Sequence, residues 1–205
     1  MRSSVNPNES STEYDAAFGA ISGLVWWPWV GRNYSQRPQH QRLLVVGESH
    51  YTKQSTPEAL EEVRKRHEQG YPTYTRDVVS ESLIRRDWTT PTLSNISKLL
   101  FQSTAIDAPR LWTDTVYCNI VQRLMEYSRK ERPIWADFEK GWRVLVEIVR
   151  FLRPSHCLFL GVEAARSFDR VMTNNTISFV SVTRTQRVSR TWARQARLDL
   201  GGTCD

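Results

Sequence analysis

Four chemically capable side chains follow one another directly after Gly47: the carboxylate of Glu48, the hydroxyl of Ser49, the imidazole of His50 and the phenol of Tyr51. A serine beside an imidazole has the composition of a nucleophile with its base, and a carboxylate beside them could act as an acid or base. Further along stand Asn119 and Gln122, then Thr183, Arg184 and Thr185. The amide of Asn119 carries both a donor and an acceptor and could pair with polar groups of a ligand. Its alternative use is a strand-end amide bonded to its own loop.

These groups sit where strands end. Leu43–Val46 are continuously apolar and stop at Gly47, the pattern of a parallel strand covered on both faces. Further strands are predicted at "DTVYCNIV", "HCLFLG" and "ISFVSV". Helices are predicted from Pro57 to a Gly stop, at "TRDVVSESLIRRD", at "TLSNISKLLF" and at "VEAARSFDRVM". The clearest is "PIWADFEKGWRVLVEIVRFLRP", in which Phe138, Trp142, Leu145, Val149 and Leu152 recur at helical spacing before Pro154. Alternating strands and helices predict a three-layer α/β/α fold around a mainly parallel four-stranded sheet. Catalytic loops of such folds begin at the carboxyl ends of strands, so the polar groups are expected to converge there. "GLVWWPWVGRNY" is expected to be an irregular segment packed against the domain, its tryptophans buried rather than stacked on a ligand.

Composition narrows the setting. The 205 residues, 40% hydrophobic and 24% charged, suit a single α/β domain over 21–200, with a largely disordered tail at 1–20 and a short one at 201–205. No apolar run has the roughly 18–20 residues of a membrane span, and the polar start lacks a signal-peptide core, so the cytoplasm is the expected location. Cys118, Cys157 and Cys204 lack the paired spacing of a metal site, and no metal or cofactor is expected. The net charge of +6 favours an anionic partner. Arg184, Arg187, Arg190, Arg194 and Arg197 follow one another without an intervening acid. On a helix, Arg190, Arg194 and Arg197 would share a face, either solvated or tracking phosphates.

Two enzyme chemistries compete for "GES". A hydrolase that opens on a GDS-like block needs a histidine near its C-terminus, and the last histidine here is His156. GxSxG, GxxxxGK[ST] and GxGxxG are all absent. The succession of "VVGESHY", "VYCNIVQR" and "FLRPSHCLFLGVEAA" over Arg42 to Arg187 instead resembles the uracil-DNA glycosylase superfamily. There, a first strand ends in GQDPY or GEAPG, a later strand ends in a base-reading Asn, and a helix and strand of the form lkP…ivlLG..A follow.

The resemblance implies a DNA glycosylase that flips a nucleotide and hydrolyses its N-glycosidic bond. Glu48 would be the catalytic carboxylate and Asn119 the base reader, with Gly47, Ser49, His50 and Tyr51 shaping the base pocket. Arg184, Arg187, Arg190 and Arg194 would contact DNA. No lysine stands at a strand end to add a lyase step, and a monomer is expected. Three departures point to a divergent specificity. Ser49 stands for the water-activating Asp and His50 for the Pro, while Tyr51 aligns with the tyrosine that excludes 5-substituted pyrimidines. "SVTRTQRVSR" replaces the block that carries the family histidine, leaving Arg184 or Arg187 to supply positive charge or grip phosphate. The expected substrate is an altered pyrimidine: hypermodified, glucosylated hydroxymethylcytosine of phage DNA in an antiviral role, or uracil or a damaged base in repair. A DNA-binding module that has kept the fold and lost the chemistry is the third reading.

Overall fold

Leu43–Gly47 forms the central strand of the computed structural model, which describes residues 9–52, 56–85, 87–88, 96, 108–127 and 131–173. In chain order the elements are α1 (Asp15–Gly19), β1 (Trp29–Val30), β2 (Leu43–Gly47), β3 (Tyr51–Thr52), α2 (Pro57–Gly70), α3 (Tyr74–Val79) and α4 (Ala108–Asp114). They continue with β4 (Val116–Asn119), β5 (Met125–Glu126), α5 (Trp135–Leu152), β6 (His156–Phe159) and α6 (Val162–Thr173). The main sheet has the order β1-β4-β2-β6, and β3 pairs with β5 in a small second sheet.

All five residues of β2 are buried, as its unbroken apolar run requires. It lies parallel to β4 on one side and to β6 on the other. Leu44, Val46, Val116 and Cys118 face Phe138, Trp142, Ile148 and Ala164 of α5 and α6. Leu43, Val45, Tyr117 and Leu158 face Val79, Leu83, Leu111 and Trp112 on the other side. The α5 helix covers the residues expected of it and stops at Arg153, whose φ of 49° is left-handed, just before Pro154. Among the described residues no helix is long and apolar enough to cross a membrane.

Two local readings change. The tryptophan-rich segment packs inward, with Trp26 and Trp29 at 1% and 0% exposure, yet it is not wholly irregular. Trp29–Val30 pairs antiparallel with β4, and Gly31 continues this contact by donating to the Thr115 carbonyl at 2.9 Å. The sheet is therefore mixed: three parallel strands and one antiparallel edge. The expected strand at 177–182 and helix at 92–101 lie outside the described residues, Ile96 excepted. The helix expected over 75–87 is α3 followed by a π turn at Ser80–Ile84. Ser82 donates its hydroxyl to the Val78 carbonyl at 2.6 Å, and the Arg85 N–H reaches back to Ser80, a competition that widens the turn.

Of the segment expected as a disordered tail, the described part, residues 9–20, is folded. Ser10 bridges Gly31, and Phe18 of α1 is 1% exposed. Arg76, itself 2% exposed, holds Asp15 through both carboxylate oxygens and donates to the Pro28 carbonyl at 3.0 Å. A buried guanidinium needs such partners, and they clamp α1 to the sheet.

Candidate active site

The connection from β2 runs to β4 on one side and the connection from β4 runs back across β2 to β6 on the other, so the direction of the connections reverses between β2 and β4. Crevices that hold ligands in α/β folds open outside the carboxyl ends of strands at such a reversal. Here that position is Gly47, in register with Asn119 on β4. Backbone bonds carry the pairing past the strands: Ile120 N–H to the Gly47 carbonyl at 3.0 Å, Val121 to Glu48 at 2.9 Å and Met125 to His50 at 2.9 Å.

Gly47, Tyr117 and Asn119 share one face. The phenol of Tyr117 donates to Asn119 Oδ1 at 2.9 Å directly over Gly47. A Cβ on Gly47 would stand 2.2 Å from Asn119 Oδ1 and 2.4 Å from the Tyr117 oxygen, so only glycine leaves room for this pair. Burial pushes the Tyr117 phenol far up, which keeps it protonated and a donor. With Oδ1 occupied, the amide of Asn119 has its nitrogen left over: Nδ2 is buried and has no hydrogen-bond partner among the described residues. Buried donors are nearly always satisfied, so this one calls for an explanation.

Glu48 leaves the strand toward α5 and α6. Its carboxylate is 18% exposed. Oε1 accepts from the phenol of Tyr51 at 2.6 Å and stands 3.9 Å from Arg132 Nη1. Oε2 faces the turn into α6, where a Cβ on Gly161, whose φ is 118°, would lie 3.7 Å away. Burial and the bond to Glu48 push the Tyr51 phenol up to about 12, so at neutral pH it remains a donor to the carboxylate.

The two residues between them turn into the scaffold. Ser49 donates to the Arg123 carbonyl at 2.6 Å. His50 is 6% exposed, pairs with Thr75 through Nε2 at 2.8 Å and packs against Trp26 and Tyr74 at 5.0 and 4.7 Å between ring centroids. Burial, with His67 nearby, pushes its imidazole down to about 3 and keeps it neutral. The pair therefore has no geometry of nucleophile and base. Gln122 is also a brace: its Oε1 accepts from the Val25 and Trp26 N–H groups, and its Nε2 donates to the Asn119 carbonyl. Arg184, Arg187, Arg190 and Arg194 lie outside the described residues, as do Thr183 and Thr185.

Two participants escaped sequence reasoning. Tyr117 was signalled by its i, i+2 spacing from Asn119 on a strand, which puts both on one face. Arg132 had no local signal. It is held near Glu48 because its neighbour Glu131 ties Arg64 to Arg123, while Arg123 also grips Asp137 at the start of α5. Among the described residues no three His, Cys, Asp or Glu side chains group to hold a metal ion. No family model, curated protein or solved structure matches this chain.

Proposed function

We propose that the chain is a monofunctional DNA glycosylase that removes an altered pyrimidine. One observation carries the reading: adjacent parallel strand ends hold a phenol-oriented carboxylate, Glu48, and a buried amide donor, Asn119 Nδ2, without a hydrogen-bond partner among the described residues. Hydrolysis of an N-glycosidic bond asks for both. As the bond between the sugar carbon and the base nitrogen breaks, its electron pair leaves with the base and the sugar becomes oxocarbenium-like. Glu48 faces the cation and orients the water that adds to that carbon; the water's proton passes to the carboxylate and then to solvent. Asn119 Nδ2 donates to an acceptor on the flipped base, a bond that strengthens as the base gains negative charge. Side chains over Nδ2 must move aside to admit that edge. Ser49, committed to a backbone carbonyl, speaks against an acyl-enzyme hydrolase.

The test offers DNAs containing uracil, hydroxymethylcytosine or glucosylated hydroxymethylcytosine and measures free base and alkali-labile sites. One of them is expected to release base, and Glu48→Gln to slow it at least about a hundredfold while leaving the melting temperature close to wild type. Absence of release from all three, together with an unchanged biological effect of Glu48→Gln, sinks the enzyme reading and leaves a DNA-binding module. Release of the glucosylated base would assign the antiviral role, and release of uracil the repair role.

A further inference from the structure

Tyr117 and Asn119 stand two residues apart on β4, so both side chains leave the same face, above Gly47. The Tyr117 ring is buried and packs edge-on against Trp112. Its phenol makes one hydrogen bond among the described residues, to Asn119 Oδ1 at 2.9 Å. That bond fixes which way round the amide stands. Turned over, the amide would donate to the phenolic oxygen, and Oδ1 and the phenol's hydrogen would both be left without partners. As it stands, the phenol's proton is used and the group left over in the pair is Nδ2, a donor.

The two ends of the amide are therefore unequal toward a ligand. Oδ1 is closed on one side by the phenol and on another by Gly47, where an added Cβ would come within 2.2 Å of it. A ligand that brought an N–H to Oδ1 would compete with the phenol and strand a buried hydroxyl that burial keeps protonated. A ligand that brings an acceptor to Nδ2 breaks nothing within this pair and satisfies a buried donor that has no partner among the described residues.

Pyrimidines divide on this point. In a uracil-type ring each carbonyl oxygen lies beside the ring N–H, so whichever of them reaches Nδ2 turns a donor toward an amide with no free acceptor. In a cytosine-type ring that nitrogen carries no hydrogen and lies beside a carbonyl oxygen, so two adjacent acceptors face Nδ2 with no ring donor between them. We propose that Tyr117 determines specificity as a positioning residue: by holding Asn119 Oδ1 it leaves the amide to read with N–H alone, and the base removed is of the cytosine type. The inference rests on the glycosylase reading and adds to it the class of pyrimidine.

Matched DNAs that differ only in the edge of the target, uracil against cytosine and hydroxymethyluracil against hydroxymethylcytosine, separate the edge from the substituent. Base release is measured for each with the full chain and with Tyr117→Phe, and the ratio within a pair is compared between the two proteins, so that the intrinsic reactivity of each base cancels. Phenylalanine frees Oδ1, and the ratio of cytosine-type to uracil-type release is expected to fall about tenfold to a hundredfold, the worth of one buried hydrogen bond won or lost. A merely structural tyrosine would slow both members of a pair alike. Thermal melts check that the variant is folded. In parallel, hydroxymethyldeoxycytidine and hydroxymethyldeoxyuridine are titrated into isotope-labelled wild-type chain while the Asn119 side-chain amide is followed by NMR; the cytidine is expected to bind more tightly and to shift that signal. Where the variant unfolds, this wild-type comparison decides alone. An unchanged ratio in folded Tyr117→Phe, uridine binding as tight as cytidine, or binding of neither overturns the inference, and base release alongside such a result leaves the glycosylase reading standing. No release from any DNA together with tighter cytidine binding at Asn119 does the reverse, removing the reaction and keeping the selectivity.

Discussion

Gly47→Ala isolates the contact on which the candidate site is built. The added methyl would meet Asn119 Oδ1 at 2.2 Å, the Tyr117 oxygen at 2.4 Å and its ring carbon Cζ at 3.1 Å. None of these neighbours yields easily. Tyr117 is 6% exposed and wedged edge-on against Trp112, with ring centroids 6.0 Å apart, and Asn119 is 3% exposed. Relief must come from rotating the amide and breaking the bond between them. Overpacking a well-filled site costs about 1–3 kcal/mol, and separating a buried hydrogen-bonded pair about 1 kcal/mol more, so roughly 2–4 kcal/mol is expected. For a chain of this size that lowers Tm by roughly 5–15 °C, read by circular dichroism. A double-mutant cycle sharpens the test. Tyr117→Phe removes the oxygen at 2.4 Å, so alanine at 47 should cost about 1 kcal/mol less in that background. Gly70→Ala is the control: nothing lies within 4 Å of its added Cβ, and the melt should be unchanged or slightly raised. If Gly47→Ala melts within about 1 °C of wild type, against the overpacking cost expected, the close approach of Tyr117, Asn119 and Gly47 is not what governs this residue.

Other perturbations read the scaffold. Asp15→Asn leaves Arg76, at 3% side-chain exposure, without its counter-charge; because Asp15 itself is 26% exposed, the loss should be about 2–3 kcal/mol in a urea melt, below that of a fully buried pair. His50 gives a pH dependence whose sign follows from linkage. Its imidazole titrates at about 3 when folded and near 6.5 when unfolded, so between these values the unfolded chain takes up the proton and stability falls as pH falls. The loss is at most about 1.4 kcal/mol per pH unit within that window, and melts from neutral to acid pH should show a shallower fall in His50→Gln than in wild type. Gly141→Ala would bring a methyl to 2.1 Å from the Ile120 carbonyl oxygen, a backbone atom that cannot swing away, and should destabilise at least as much as Gly47→Ala.

The core elements were legible because their signals are local. Four apolar residues ending at a glycine could hardly be other than a covered strand, and the spacing of Phe138, Trp142, Leu145, Val149 and Leu152 carries a helix's period without help from the fold. The edge strand β1 was not legible. Two residues have no period, and their pairing depends on Gly31 approaching Thr113 closely enough that a Cβ would stand 2.4 Å from its backbone. The π turn was equally hidden, since its hydrogen bonds belong to serines that a helical pattern accommodates on paper.

The same distinction divides the four reactive side chains that follow Gly47. That they leave the end of a central strand is a local property; where each one points is not. Ser49 turns inward because the Arg123 carbonyl, 74 residues on, accepts its proton, and His50 because Thr75 and two aromatic rings receive it. With those two committed to the scaffold, only Glu48 and Tyr51 keep company at the crevice, and their spacing of three residues is what lets the phenol reach back to the carboxylate. A block that looks like nucleophile, base and acid in sequence is therefore reduced to one oriented carboxylate. A carboxylate with no activated nucleophile suits the proposed reaction, whose difficulty is charge development in the bond that breaks, and the Asn119 donor on the neighbouring strand, without a partner among the described residues, is the group proposed for the other end of that bond.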